Sequence, residues 1–309
     1  MKGITINTLL FLLLLTLACH VTEPNKKAHR IPDDETIACI SDFGDMASSV
    51  AITYDCQELI NLKTQGTFYV DWSPDKTMLV YCKHYNIENG IRVEIWTMNS
   101  DGSEQRRISG NDTLCALPEF SPSGDKIMYT AENRFSTRIV VCDVNGNFKK
   151  TVLTSFQATN IDTSCAYGMD WKNESEIIYI YWGRGMTGYM KAASYKMNSK
   201  EHFSLAFLDS LNPNFIQYSS ETQKLALVGK GWPGEQAWTC DIDGANLKQV
   251  SHCFMVYSID WSPDGEWLLL SQLTLSFEDF QSIWKVRADG SDLQQVMAFD
   301  DRGLYSACQ

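Results

Sequence analysis

The chain has 309 residues and a formal net charge of −12, from 38 acidic and 26 basic side chains. So acidic a surface repels phosphate backbones and anionic lipid, which argues against nucleic acid as a partner and against electrostatic docking to a membrane. At 44% hydrophobic and 12% aromatic residues the chain can bury a sizeable core, which excludes disorder.

Residues 1–19, MKGITINTLLFLLLLTLAC, read as a targeting segment. Lys2 supplies the positive start, and Leu9 to Leu17 is an apolar run too short to span a bilayer. Thr16-Leu17-Ala18-Cys19 resembles the end of a bacterial lipoprotein signal, which implies lipidation at Cys19 and a place in the cell envelope, periplasm or outer membrane. The usual Leu three residues before the Cys is Thr16 here, and ordinary cleavage after Ala18 is the competing reading. Residues 20–34 are polar with two prolines, as in a flexible tether. Residues 35–309 remain for a single folded domain.

That domain is repetitive. Asp71-Trp72-Ser73-Pro74-Asp75-Lys76 recurs as Glu119-Phe120-Ser121-Pro122-Ser123-Gly124, as Asp170-Trp171-Lys172-Asn173-Glu174 and as Asp260-Trp261-Ser262-Pro263-Asp264-Gly265. Gln217-Tyr218-Ser219-Ser220-Glu221 is a degenerate copy, and the aromatic anchors lie 48, 51, 47 and 43 residues apart. Periods in the forties mean one four-stranded unit per repeat. Each unit predicts an inner strand before the aromatic, a Ser-Pro-Asp-Gly turn, an apolar second strand and an alternating third. Asp101-Gly102, Asn145-Gly146, Asp243-Gly244 and Asp289-Gly290 then predict hairpins into short outer strands. No stretch holds a 3.6-residue apolar period, so almost no helix is expected.

These turns, with the downstream Trp96-Thr97-Met98-Asn99-Ser100-Asp101-Gly102, resemble the repeat of TolB-like β-propellers, relatives of WD-type blades. The resemblance spans about residues 37–309 and implies an all-β propeller of four-stranded antiparallel blades. At the N-terminal end, residues 36–42, 49–56 and 57–63 read as second, third and fourth strands without an inner one. At the other end, residues 302–309 read as an inner strand cut off before its turn. The two ends are therefore expected to share a blade, closing a ring of six.

The chemistry expected of this domain is binding. There is no Gly-x-Ser-x-Gly elbow, no room after Gln309 for a hydrolase domain, and only His84, His202 and His252 fall inside the fold. No metal or other cofactor is expected, and the Asp-Gly turns lack the rest of a calcium loop. The cysteines fit no zinc spacing, and Cys142 and Cys240 read as small apolar core residues. The connectivity puts the loops between second and third strands, and those leading into inner strands, on one face. That face carries Tyr85, Phe135, Trp182, Arg184, Tyr189, Trp232 and Phe277, candidates for contact with a protein, peptide or glycan. Asp112, Asp162, Asp209 and Asp300 are candidates for an acidic rim near the channel mouth. A glycan- or peptide-processing enzyme with a site over the channel is the alternative.

Overall fold

The computed structural model describes residues 36–42, 48–54, 59–88, 90–112, 114–132, 136–154, 166–182, 189–232, 234–252, 255–273, 281–299 and 306–308. Cys19, Phe135, Asp162, Arg184, Phe277 and Asp300 lie outside these residues. The described chain is all-β apart from one short 3-10 helix, η1 (Ala206–Leu211). No helix of the described residues is long and apolar enough to cross a membrane.

The chain opens with β1 (Ile37–Asp42), β2 (Ser48–Thr53) and β3 (Ile60–Asn61). The Trp72 repeat gives β4 (Thr67–Trp72), β5 (Met78–Ile87), β6 (Gly90–Asn99) and β7 (Arg106–Arg107). The Phe120 repeat gives β8 (Leu114–Phe120), β9 (Lys126–Glu132), β10 (Thr137–Asp143) and β11 (Lys150–Thr154). Next come β12 (Ala166–Asn173), β13 (Glu176–Trp182), β14 (Met190–Lys196) and β15 (Glu201–Ser204). After η1 follow β16 (Phe215–Ser219), β17 (Lys224–Lys230), β18 (Glu235–Asp241) and β19 (Lys248–Gln249). The Trp261 repeat forms β20 (Met255–Trp261), β21 (Trp267–Leu273), β22 (Gln281–Arg287) and β23 (Gln294–Phe299), and β24 (Ser306–Cys308) ends the chain.

Each set of four is an antiparallel meander. The β4–β7 and β8–β11 meanders are joined into one larger sheet by a single parallel pair, Val93 with Leu114. β24 pairs antiparallel with β1, placing Ile37 opposite Cys308, Ala38 opposite Ala307 and Cys39 opposite Ser306. The first and last strands therefore share the sheet β24-β1-β2-β3.

The repeated turns work as their residues dictate. In Ser73-Pro74-Asp75-Lys76 the Ser73 hydroxyl donates to Asp75 Oδ1 at 2.7 Å and accepts from the Met78 N–H at 2.9 Å. Ser262 does the same with Asp264 and the Trp267 N–H. The fourth turn position needs a left-handed backbone, with φ of +74° at Gly124, +68° at Gly265 and +64° at Lys76.

Neighbouring sheets bury apolar faces against each other. Val50 and Ile52 meet Val70 and Tyr81, while Met128 and Ile139 meet Met169 and Tyr179. Ile178 and Ile180 meet Leu225 and Leu227, and Leu269 and Ile283 meet Ile37 and Cys39. Cys142 and Cys240 lie in this core, as free thiols that burial pushes up to about 11 and about 12.

One expectation needs correction. Tyr85 belongs to no loop between second and third strands, since β5 and β6 pair continuously there: Lys83 with Glu94, His84 with Val93, and Tyr85 with Arg92. Tyr85 and Ile87 favour extended backbone, so the sequence makes a long ribbon in place of a loop.

Candidate functional site: the inner-strand carboxylates and the long-loop face

The acidic residue before each aromatic anchor points to where the innermost strands meet. Asp71 Oδ2 accepts the N–H of Phe120 at 2.9 Å, and Asp170 Oδ2 accepts the N–H of Tyr218 at 2.5 Å. Each carboxylate thus ties its own inner strand to that of the next repeat, as a residue repeated in most units should. The Phe120 and Tyr218 repeats depart from the pattern, with Glu119 and Gln217 in that position. The longer Glu119 side chain accepts from the Tyr69 hydroxyl on one side and from Gln217 Nε2, at 3.3 Å, on the other.

β-Bulges at Thr67/Tyr69 and Ala116/Glu119 lie beside these groups and help aim them inward. The outcome is a knot of like charges. Burial, then the Asp71 charge, holds the Glu119 carboxyl well above the usual range. Burial likewise pushes Asp170 up to about 8 and Asp71 up to about 7, against the pull of their backbone donors. Among the described residues no group of three or more His, Cys, Asp or Glu side chains is arranged to hold a metal ion.

On the long-loop face two of the described aromatics are open to solvent. Trp232, between β17 and β18, is 84% exposed, and Tyr189, just before β14, is 54% exposed. Trp182 ends β13 opposite Met190, which brings its backbone beside Tyr189. Tyr85 is half-buried and faces Arg92 across the β5–β6 ribbon. Of the expected acidic rim, Asp112 pairs with Arg138, and Asp209, within η1, pairs with Lys191 at 3.0 Å. Both carboxylates are therefore partly neutralised.

Sequence reading missed two things here. One is the convergence of the inner-strand acids, whose only signal was their repetition. The other is a set of arginines around Asp112, signalled by the crowding of five of the nine arginines into residues 92–138.

A series of four-stranded antiparallel meanders, several of them turned by Ser-Pro-Asp-Gly or Asp-Gly, marks a β-propeller protein. Its fold is that of the TolB-like propellers. TolB from Acinetobacter baumannii superposes with a TM-score of 0.70 at 17% identity, over 90% of this chain and 68% of that one. A chain of the nidogen/laminin complex gives 0.64 at 12% identity, over 89% and 97%. Puromycin hydrolase gives 0.58 at 11% identity, and there this chain covers 93% of itself but only 48% of the hydrolase. No protein-family model matches the sequence, and neither does any curated protein.

Proposed function

We propose that the chain is a non-catalytic binding protein of the bacterial cell envelope, a six-bladed propeller that presents its long-loop face to a protein partner. Six blades follow from counting each meander once, with β24 as the inner strand of the blade begun by β1. Closure of the ring is supported by the run of inner-strand neighbours: β4 beside β8, β8 beside β12, and so on to β20 beside β24 and β24 beside β4. A lipid at Cys19 would hold the domain to a membrane through the tether of residues 20–34.

The observation that carries the binding reading is the exposure of Trp232 and Tyr189 on one face. A Trp left 84% in water gains nothing for folding, whereas Trp and Tyr dominate the energetics of protein interfaces. Fold likeness to TolB and to a chain of the nidogen/laminin complex fits a propeller that docks other proteins. The test is capture from native envelopes by crosslinking, with Trp232→Ala and Tyr189→Ala, singly and together. Both variants should melt like the wild type and the double variant should lose its partner. Unchanged capture by the double variant would remove the site.

A further inference from the structure

The arginines around Asp112 sit on the same long-loop face, at the junction where β6 of one meander meets β8 of the next. Arg107 Nη1 lies 3.1 Å and Arg92 Nε 3.2 Å from the same oxygen of Glu94, whose other oxygen accepts from Trp96 Nε1 at 3.2 Å. Arg107 also donates to the Gly110 carbonyl, and Arg138 pairs with Asp112. Three guanidinium groups thus share two carboxylates. The Nε–H groups of Arg107 and Arg138 are buried without a hydrogen-bond acceptor. Each side chain still keeps a quarter to a third of its surface open, at 34%, 32% and 27%.

This is an excess of positive charge and of unmet planar donors in a protein of net charge −12. A guanidinium fork matches a carboxylate in two parallel hydrogen bonds, and the open part of each side chain is what a further carboxylate would meet. The junction also offers backbone. β7 pairs with β6 only at Trp96 and Thr97, and β8 only at Val93, so the outer edge of Gly90–Arg92 has no strand partner among the described residues. An open edge of this kind accepts an extended peptide by strand addition.

Resting on the binding-protein reading above, we infer that this junction takes an acidic, extended segment of the protein partner, one of whose carboxylates is held by Arg92, Arg107 and Arg138. The probe is a fluorescein-labelled tetraglutamate peptide, followed by anisotropy against the purified protein, with tetraglutamine as the comparator. The wild type should bind tetraglutamate and not tetraglutamine, and 0.3 M salt should weaken binding. Arg107→Gln and Arg138→Gln should each weaken it by about tenfold, the worth of one charge-assisted hydrogen bond. Arg287→Gln, a charge-matched change at an arginine already held by Glu266 and Asp292, should leave it unchanged. Should the glutamine variants fold poorly, Arg107→Lys keeps the charge, loses the fork and should still weaken binding.

Equal binding of the two peptides overturns the inference. So does equal weakening by Arg287→Gln, which would make net charge the cause, and so does full displacement by equimolar inorganic phosphate, which would mark a small-anion site. A partner lost by the Trp232 and Tyr189 double variant but captured normally by Arg107→Gln would sink the arginine site while leaving the binding reading intact.

Discussion

Lys76 occupies a position that Gly fills in the equivalent turns ending at Gly124 and Gly265. Its φ of +64° presses Cβ toward the following carbonyl, a cost of about 1 kcal/mol for an L-residue outside glycine. Lys76→Gly should therefore stabilise the fold, less the entropy that glycine adds to the unfolded chain, and raise Tm by about 1–3 °C. Thermal melts of the two proteins at one pH would decide it, and a lower Tm in the variant would contradict the account. Turn chemistry of this kind was legible in the sequence because it is local: Ser, Pro, Asp and Gly act on atoms two to five residues away. The Tyr69–Glu119–Gln217 contacts were not legible, since they join residues 50 and 98 positions apart and depend on bulges that no spacing announces.

Among the elements, β24 has the fewest residues for the number of strands it touches. It pairs with β1 and lies against β4, β20 and β21. Removing residues 302–309 should strip β1 of one of its two partners and expose Ile37 and Cys39, which pack with Leu269 and Ile283. The expected outcome is loss of the cooperative melt; a truncated protein melting within about 2 °C of the full chain would show that β24 is dispensable. The pairing of the two ends was readable because the first repeat lacked an inner strand and the last segment supplied one. The β5–β6 ribbon was misread because a polar, aromatic stretch looks the same as a loop until its partner strand is known. Candidates such as Arg184 and Phe277 fall outside the described residues, so their place in a site stays a proposal.

For the molecule as a whole, the inner-strand acids set an unusual pH dependence. Asp71, Glu119 and Asp170 hold their protons more tightly in the native state, chiefly because burial disfavours the charge. From about pH 4, where the unfolded carboxyls ionise, up to about pH 8, the native state binds more protons than the unfolded one, so stability falls as pH rises. Surface carboxylates such as Asp75 and Asp241, held below their ordinary values by hydrogen bonds, lose their contribution as pH drops toward 3. Urea midpoints should therefore be highest near pH 5 and clearly lower at pH 8. Glu119→Gln keeps an oxygen for Tyr69 and Gln217 while removing the charge, so it should flatten that decline. A wild-type midpoint that is level or rising from pH 5 to pH 8 would refute the coupling.

The pairing of Ile37 with Cys308 also fixes an order of events. During synthesis the earliest strand emerges with its neighbour still unmade, and every intervening blade can meander locally before the two meet. Contacts so distant in sequence are slow to form, because the chain must first give up the entropy of closing that span. The final latch therefore cannot snap shut until the residues of both paired strands have been made.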